Sequence, residues 1–385
     1  MVEAASRGPR DVHGINVAAR STLPHHPSAP ILPPMKITVL LGGTSAERDV
    51  SLASGLRIAR TLRDAGHDVT SLDPARGVID EGEERVMENA GVMKPAPPSL
   101  SSLEQMTRTS LSPSLGALPA VRKADVVFLA LHGGFGEDGT VQALLDMVGV
   151  RYTGSGHLAS ALAMDKDLSK VLFRAAGVPT ADWLLVSQAS ASRPEAEQVE
   201  KKLGWPVVVK PSKQGSTVGL SLVRAGADLA PAVTEALRYD DEVMIERFVP
   251  GRELTVSVLG DQALPVGEIF PRHEIYDYEC KYTPGMAREE FPAKLSARET
   301  AEIQRLALAA FRALKLDGYA RIDFRMTDRG EFFCLEANTL PGMTPLSLLP
   351  QAAAAMGLDF GALCERIVQL AVTKASPASG GRDDT

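Results

Sequence analysis

The chain reads as an α/β protein that passes into α+β in its C-terminal part, with an open parallel sheet in the N-terminal domain. Near the start, two strand-like runs flank a helical pattern, Ile37-Thr-Val-Leu-Leu41 and His67-Asp-Val-Thr-Ser-Leu72 around Val50–Ala65, which is a βαβ unit. A third apolar run, Ala124 to Leu131, ends in a Gly-rich turn, as strands of open α/β sheets do beside ligands. Far downstream, Arg321 to Met343 reads as two strands joined by Thr327-Asp-Arg-Gly330, a connection suited to an antiparallel hairpin.

Length and charge narrow the function. At 385 residues the chain is long enough for about two or three domains. Lys plus Arg number 41 against 48 Asp plus Glu, a net charge of −7 that speaks against nucleic-acid or anionic-membrane binding. The three cysteines, Cys280, Cys334 and Cys364, have no metal-ligand spacing and fit a reducing cytoplasm. No apolar run reaches the ~18 residues of a membrane span. Residues 1–34 lack periodicity and a secretory apolar core, so Met35 is expected to be the true start, with 1–34 a disordered leader or start-site artefact. Residues 373–385 read as a disordered polar tail.

The elements follow in order. The first strand ends in Gly42-Gly-Thr-Ser-Ala-Glu47, facing a helix N-terminus where anions and carboxylates are accommodated; Glu47 by itself fits a first-turn dipole partner. Residues 77–120, with five prolines and many serines, read as an irregular insertion. His132-Gly-Gly-Phe-Gly-Glu-Asp-Gly139 closes the third strand, and His132 could bond a substrate carboxylate. After a helix over 139–148 the first domain ends near residue 154. A single helix is expected from Ala159 to Ala176, with Lys166 in its second turn. Trp205 to Lys210 is a strand feeding the loop Pro211-Ser-Lys-Gln-Gly-Ser-Thr-Val-Gly219, whose N–H groups and lysines can close over phosphates, although it is no Walker A loop.

Asp241 to Glu246 is the next strand, followed by Phe248 and Glu253, suited to an adenine ring and ribose hydroxyls. Pro271 to Pro292 reads as an active-site lid. Ser296-Ala-Arg-Glu299 is a capping box opening a helix to Leu316, and a last helix runs from about Asp359 to Val372. In the hairpin, Asp323 falls opposite the Cys334–Glu336 region, and Glu336 and Asn338 share a face. Two carboxylates and an amide oxygen make a hard-oxygen site of the kind that holds Mg²⁺ beside a nucleotide. An N–H freed at Pro341-Gly342, with Arg321 nearby, could stabilise an oxyanion.

In this order the motifs Leu41–Arg48, Leu131–Gly139, Tyr152–Gly156, Met164-Asp-Lys166, Lys210–Gly219, Tyr276–Tyr282 and Leu335–Thr344 resemble the D-alanine–D-alanine ligase family of the ATP-grasp superfamily, from Lys36 to about Ala371. The resemblance implies three domains: 35–154 (with the 77–120 insertion), 155–246 and 247–372. It implies ATP held by Lys166, Lys210, Lys281, the Ser216 loop, Glu246, Phe248, Val249 and Glu253. It places two Mg²⁺ or Mn²⁺ ions on Asp323, Glu336 and Asn338, with the possibility of a monovalent cation. Glu47 would take the first D-alanine ammonium and join Ser216 and Tyr282 in a triad anchoring the lid. His132 would sit by the first subsite, Ser347 and Lys281 by the second, and Arg321 and the Gly342 N–H would form the oxyanion hole.

The implied reaction is ADP-forming ligation of two D-alanines for peptidoglycan precursors, through a D-alanyl phosphate, by a cytoplasmic homodimer. Tyr282 favours an amine over D-lactate as second substrate. Another ATP-grasp carboxylate–amine ligase shares the nucleotide residues but not Glu47, His132, Tyr282 and Ser347 together. A regulatory nucleotide binder would not need Arg321. Cys280 departs from the small residue common at its position and is expected to sensitise the site to thiol reagents.

Overall fold

In the computed structural model the described residues are 32–92, 98–109, 113–189, 194–283 and 285–374; side chains of a few of them, including Tyr282, are not described. Most of the expected leader and tail lie outside these ranges.

The N-terminal sheet has the order Gly77–Ile79, Asp68–Asp73, Lys36–Leu40, Val126–Leu129. Lys36–Leu40 pairs in parallel with both neighbours, while the edge strand Gly77–Ile79 is antiparallel. Ile37, Val39, Leu40, Val126, Val127, Phe128 and Leu129 are buried, as a strand covered on both faces requires. The helix Arg48–Asp64 covers one side with Leu52, Leu56, Ile58 and Leu62.

The stretch 77–120 corrects the expectation of an irregular insertion. It contains that edge strand, the helices Glu81–Ala90, Leu100–Thr109 and Pro119–Arg122, and a 3₁₀ turn at Pro113–Ala117. The signal was local: Asp80 accepts from the Gly82 and Glu83 N–H groups while Glu83 returns to the Asp80 N–H, a capping box. Arg63 then fastens the new helix through Glu84 at 2.6 Å.

A middle antiparallel sheet orders Trp183–Ser187, Glu242–Arg247, Val207–Pro211, Ser221–Val223. The largest sheet is also antiparallel: Ala287–Glu290, Gly267–Pro271, Arg252–Leu259, Tyr319–Met326, Phe332–Asn338, with Gln262–Ala263 added to Arg252–Leu259. The helix Ala297–Ala313 packs Ile303, Leu306, Ala307 and Ala310 on it. Its capping box at Ser296 and Glu299 is present, but it ends at Ala313, short of the expected Leu316.

The helix expected over 159–176 is two helices, His157–Met164 and Lys166–Ala175. Asp165 breaks it by adopting extended backbone and accepting the Leu168 N–H at 3.0 Å, so Lys166 opens the second helix. Both helices pack in the core of the largest sheet, through Ala159, Ala163 and Phe173. The closing helices Leu348–Ala355, unanticipated from sequence, and Phe360–Thr373 instead return to the N-terminal core, burying Leu349, Ala352, Leu363, Ile367 and Val368 beside Ile37 and Val39. Among the described residues no helix is long and apolar enough to cross a membrane.

Candidate active site

The middle and largest sheets face each other across a cleft. Its walls include Lys166, Lys210, the 214–218 loop, Glu246, Phe248, Val249, Glu253, Asp323 and Glu336. Lys210, next to last in its strand, reaches Glu246 at 2.7 Å, and Lys170 meets the same carboxylate from the helix Lys166–Ala175. Burial opposes the Glu246 charge, but the two lysines win and hold its pKa down at about 2. Lys166 lies 3.3 Å from Glu336 and donates to the Gln214 carbonyl at 2.7 Å, tying the loop to the metal-type hairpin. Glu336 is likewise kept at about 2, burial being overcome by Lys166, Lys281, Lys210 and Arg321. A carboxylate so held is ionised at any physiological pH.

The hairpin has the expected register. Asp323 stands opposite Glu336 and Arg321 opposite Asn338, with a bulge after Asp323. Asp323 is fixed from three sides, by Arg321 Nη2 at 2.8 Å, Thr255 Oγ1 at 2.7 Å and Asn338 Nδ2 at 3.0 Å. Burial works against the Arg321 charge, yet Asp323 beside it raises its pKa further.

A second cavity opens beside the first and shares Gly215, Ser216, Tyr276 and Lys281 with it. Its lining also includes Glu47, His132, Glu137, Arg321, Asn338, Gly342 and Ser347. Glu47 occupies the N-cap position of its helix but does not cap it; its carboxylate receives the Ser216 hydroxyl across the domains. The close approach is possible because Gly215 has no side chain: a Cβ there would lie 2.6 Å from Glu47 Oε2. Ser216 itself has φ of +48°, an uncommon conformation that this bond helps hold. Tyr282 belongs to the short helix Tyr278–Tyr282 with Lys281, but its side chain lies outside what is described.

His132 is buried, its Nδ1 paired with the Leu340 carbonyl at 2.8 Å and its Nε2 with Ser54 Oγ at 3.4 Å. Desolvation lowers its pKa, so it is neutral. Ser347 Oγ accepts from the Thr344 N–H at 3.0 Å, and a Cβ on Gly342 would come within 2.6 Å of that oxygen. Cys280 runs against expectation: it is 2% exposed, packed with Ile269, Tyr276 and Leu348, and burial raises its thiol pKa. A buried, protonated thiol is a poor target for alkylation.

Three residues of the site escaped the sequence reading. Lys170 lies one helical turn after Lys166, and its partner Glu246 is 76 residues away in sequence. Arg325 pairs with Glu253 at 3.0 Å, donates to the Val249 carbonyl at 3.1 Å and lies 5.5 Å from the Phe248 ring centre; its alternation with Arg321 and Asp323 was the available signal. Glu137, inside the Gly-rich turn, accepts from the N–H groups of Gly133, Thr339 and Leu340 at 3.1–3.2 Å. Burial, then the neighbouring Glu47 charge, raise its pKa to about 7.

An ATP-grasp fold is defined by this pairing of two antiparallel sheets over a cleft with lysines on one wall and hard-oxygen carboxylates on the other, here joined to an N-terminal open sheet. A family model described as the D-ala D-ala ligase N-terminus matches residues 36–155, and one described as the C-terminus of the same ligase matches 172–369. The chain belongs to the D-alanine–D-alanine ligase family. It is 41% identical to the D-alanine–D-alanine ligase of Geotalea uraniireducens over 89% of this chain and 97% of that one. The solved D-alanine–D-alanine ligase of Coxiella burnetii superposes with a TM-score of 0.71 at 31% identity, covering 88% of this chain and 94% of that chain. The Bacillus anthracis ligase complexed with ATP superposes at 0.66 with 29% identity, over 88% and 97% of the two chains.

Proposed function

We propose that this chain joins two D-alanines into D-alanyl-D-alanine, driven by ATP and releasing ADP and phosphate. The observation that carries this is the pair of cavities sharing Gly215, Ser216, Tyr276 and Lys281 as a common wall. A nucleotide in the first points its terminal phosphate at an amino acid in the second. The triphosphate lies along Lys166, Lys210 and Lys281 with the Ser216 loop over it, the adenine against Phe248 and Val249, and the ribose by Glu253. Glu246 acts through the two lysines it orients.

Asp323, Glu336 and Asn338 suit Mg²⁺ or Mn²⁺: Asp323 and Glu336 line the nucleotide cleft, Asn338 lines the adjoining cavity and donates to Asp323 at 3.0 Å, and Glu336 stays ionised. Divalent ions there would neutralise the charge that accumulates during phosphoryl transfer. The first D-alanine is held by its ammonium on Glu47, with His132 beside it, and its carboxylate oxygen attacks the terminal phosphorus as ADP leaves. The amine of the second D-alanine, oriented near Ser347 and Lys281, then attacks the acyl carbon. Arg321 and the Gly342 N–H stabilise the developing oxyanion, and phosphate departs. Tyr282 favours an amine as the second substrate. We assign 35–154, 155–246 and 247–372 as the three domains, and a cytoplasmic homodimer as the working form.

The test is ADP release and product mass with MgATP and D-alanine, with L-alanine and D-lactate as competitors. A D-alanyl-D-alanine mass that needs both ATP and D-alanine is expected. ADP release with a mixed product would move the second-substrate assignment, and nucleotide binding without turnover would overturn the reading.

A further inference from the structure

The segment over both cavities carries a cluster that the ligase chemistry does not use. His273, Asp277 and Cys280 each offer one ligand atom, and these atoms all lie within 4.8 Å of one another. His273 Nδ1 and Asp277 Oδ2 are 2.7 Å apart, and the other Asp277 oxygen accepts the Cys280 N–H at 2.9 Å, so the backbone of the turn already converges on one point. Donors of a tetrahedral zinc site stand about 3.3–3.8 Å apart, so a small opening of the His273–Asp277 contact accommodates an ion. The side chains of His273 and Asp277 are 40% and 38% exposed, giving an entry path and an open fourth position, while buried Cys280 forms the floor.

We propose that His273, Asp277 and Cys280 form a binding site for a borderline-soft divalent ion of the Zn²⁺ class, which clamps the lid. The donor set discriminates between metals. An imidazole, a thiolate and one carboxylate favour Zn²⁺ or Co²⁺ over Mg²⁺, whereas the all-oxygen set of Asp323, Glu336 and Asn338 favours Mg²⁺. On binding, the Cys280 thiol gives its proton to solvent, His273 ligates through Nδ1 as a neutral imidazole carrying its one proton on Nε2, Asp277 ligates as the carboxylate, and three metal–ligand bonds form with no change of oxidation state.

The consequence for turnover rests on the ligase reading. Cys280 packs with Tyr276 and Leu348, Tyr276 lines both cavities, and Lys281 follows Cys280 directly. An ion here fastens the helix Tyr278–Tyr282 to the turn at His273. A lid so pinned exchanges substrate and product more slowly.

Titration of the full-length chain with Co²⁺ provides the direct test, read by the near-ultraviolet thiolate-to-metal charge-transfer band. One equivalent of band per chain is expected, with Zn²⁺ displacing it. The Cys280→Ala and His273→Ala variants should lose it and weaken Zn²⁺ binding by at least about tenfold, whereas Cys334→Ala should keep it. Circular dichroism establishes that each variant is folded. No band in the unaltered chain, or a band surviving in Cys280→Ala, overturns the site. In the second arm, Zn²⁺ is expected to slow ADP release several-fold in the unaltered chain and not in Cys280→Ala; equal inhibition of both overturns the clamp. The band does not depend on turnover: a band without ligation counts against the ligase reading alone, and ligation without a band counts against the metal site alone.

Discussion

At the scale of single residues, charge balance in the cleft makes the sharpest predictions. Arg321 is proposed to meet the oxyanion, so Arg321→Ala should lower kcat on the order of 10²–10³-fold with little change in D-alanine KM. Glu246 sits between two lysines, and Lys170 is 0% exposed. Glu246→Gln therefore strands a buried ammonium and should destabilise the fold by about 3–5 kcal/mol, measured by urea unfolding near neutral pH. Because the folded Glu246 pKa is depressed to about 2, its stabilisation is present above the ordinary carboxylate range and fades as pH falls through it.

Glu137 behaves oppositely. Its folded pKa is raised to about 7, so its contribution is complete below the ordinary Glu value and is lost as pH rises toward 7. The unaltered chain should lose more thermal stability between about pH 5 and about pH 8 than Glu137→Gln does. The juxtaposition of Asp323, Glu336 and Asn338 was legible because alternation on a strand fixes which side chains share a face. Lys170 and Glu137 were not, because each matters through partners far away in sequence: Glu246 in one case, Thr339 and Leu340 in the other.

At the scale of elements, propensity predicts existence better than continuity. The helical pattern through 159–176 is real, but one Asp165 side chain outcompetes the backbone and splits it, which turns Lys166 toward Gln214 and Glu336. Asp165→Ala should cost about 1 kcal/mol in unfolding free energy and also raise the ATP KM, because the helix start that aims Lys166 loses its cap. Strands and the hairpin register were readable from period and turn residues. The helices of 81–122 were not, since prolines and serines dominate the composition while the structure depends on short caps and on the Arg63–Glu84 pair.

At the scale of the whole molecule, separate apolar cores surround two cavities that share a wall. The order of the motifs made the family legible, yet the way helices are exchanged between cores was not, because apolar helix faces do not name their partners. Met147 and Leu158 are 88% and 50% exposed on helices that contact each other, a feature that suits association with a second copy. Light scattering at micromolar concentration should return about twice the chain mass. Alkylation of Cys280 should be slow without denaturant, in keeping with its burial.

The return of Leu348–Ala355 and Phe360–Thr373 to the first core bears on how the chain is made. On the ribosome the sheet of residues 36–129 emerges before those two helices, so the surface they cover stays bare until more than 200 further residues have been synthesised. Its strands must wait, apolar side outward, for residues 348–373. The sheet of residues 36–129 is thus translated well before the helices that complete its core, and a nascent chain stalled before residue 348 is a natural client for a chaperone.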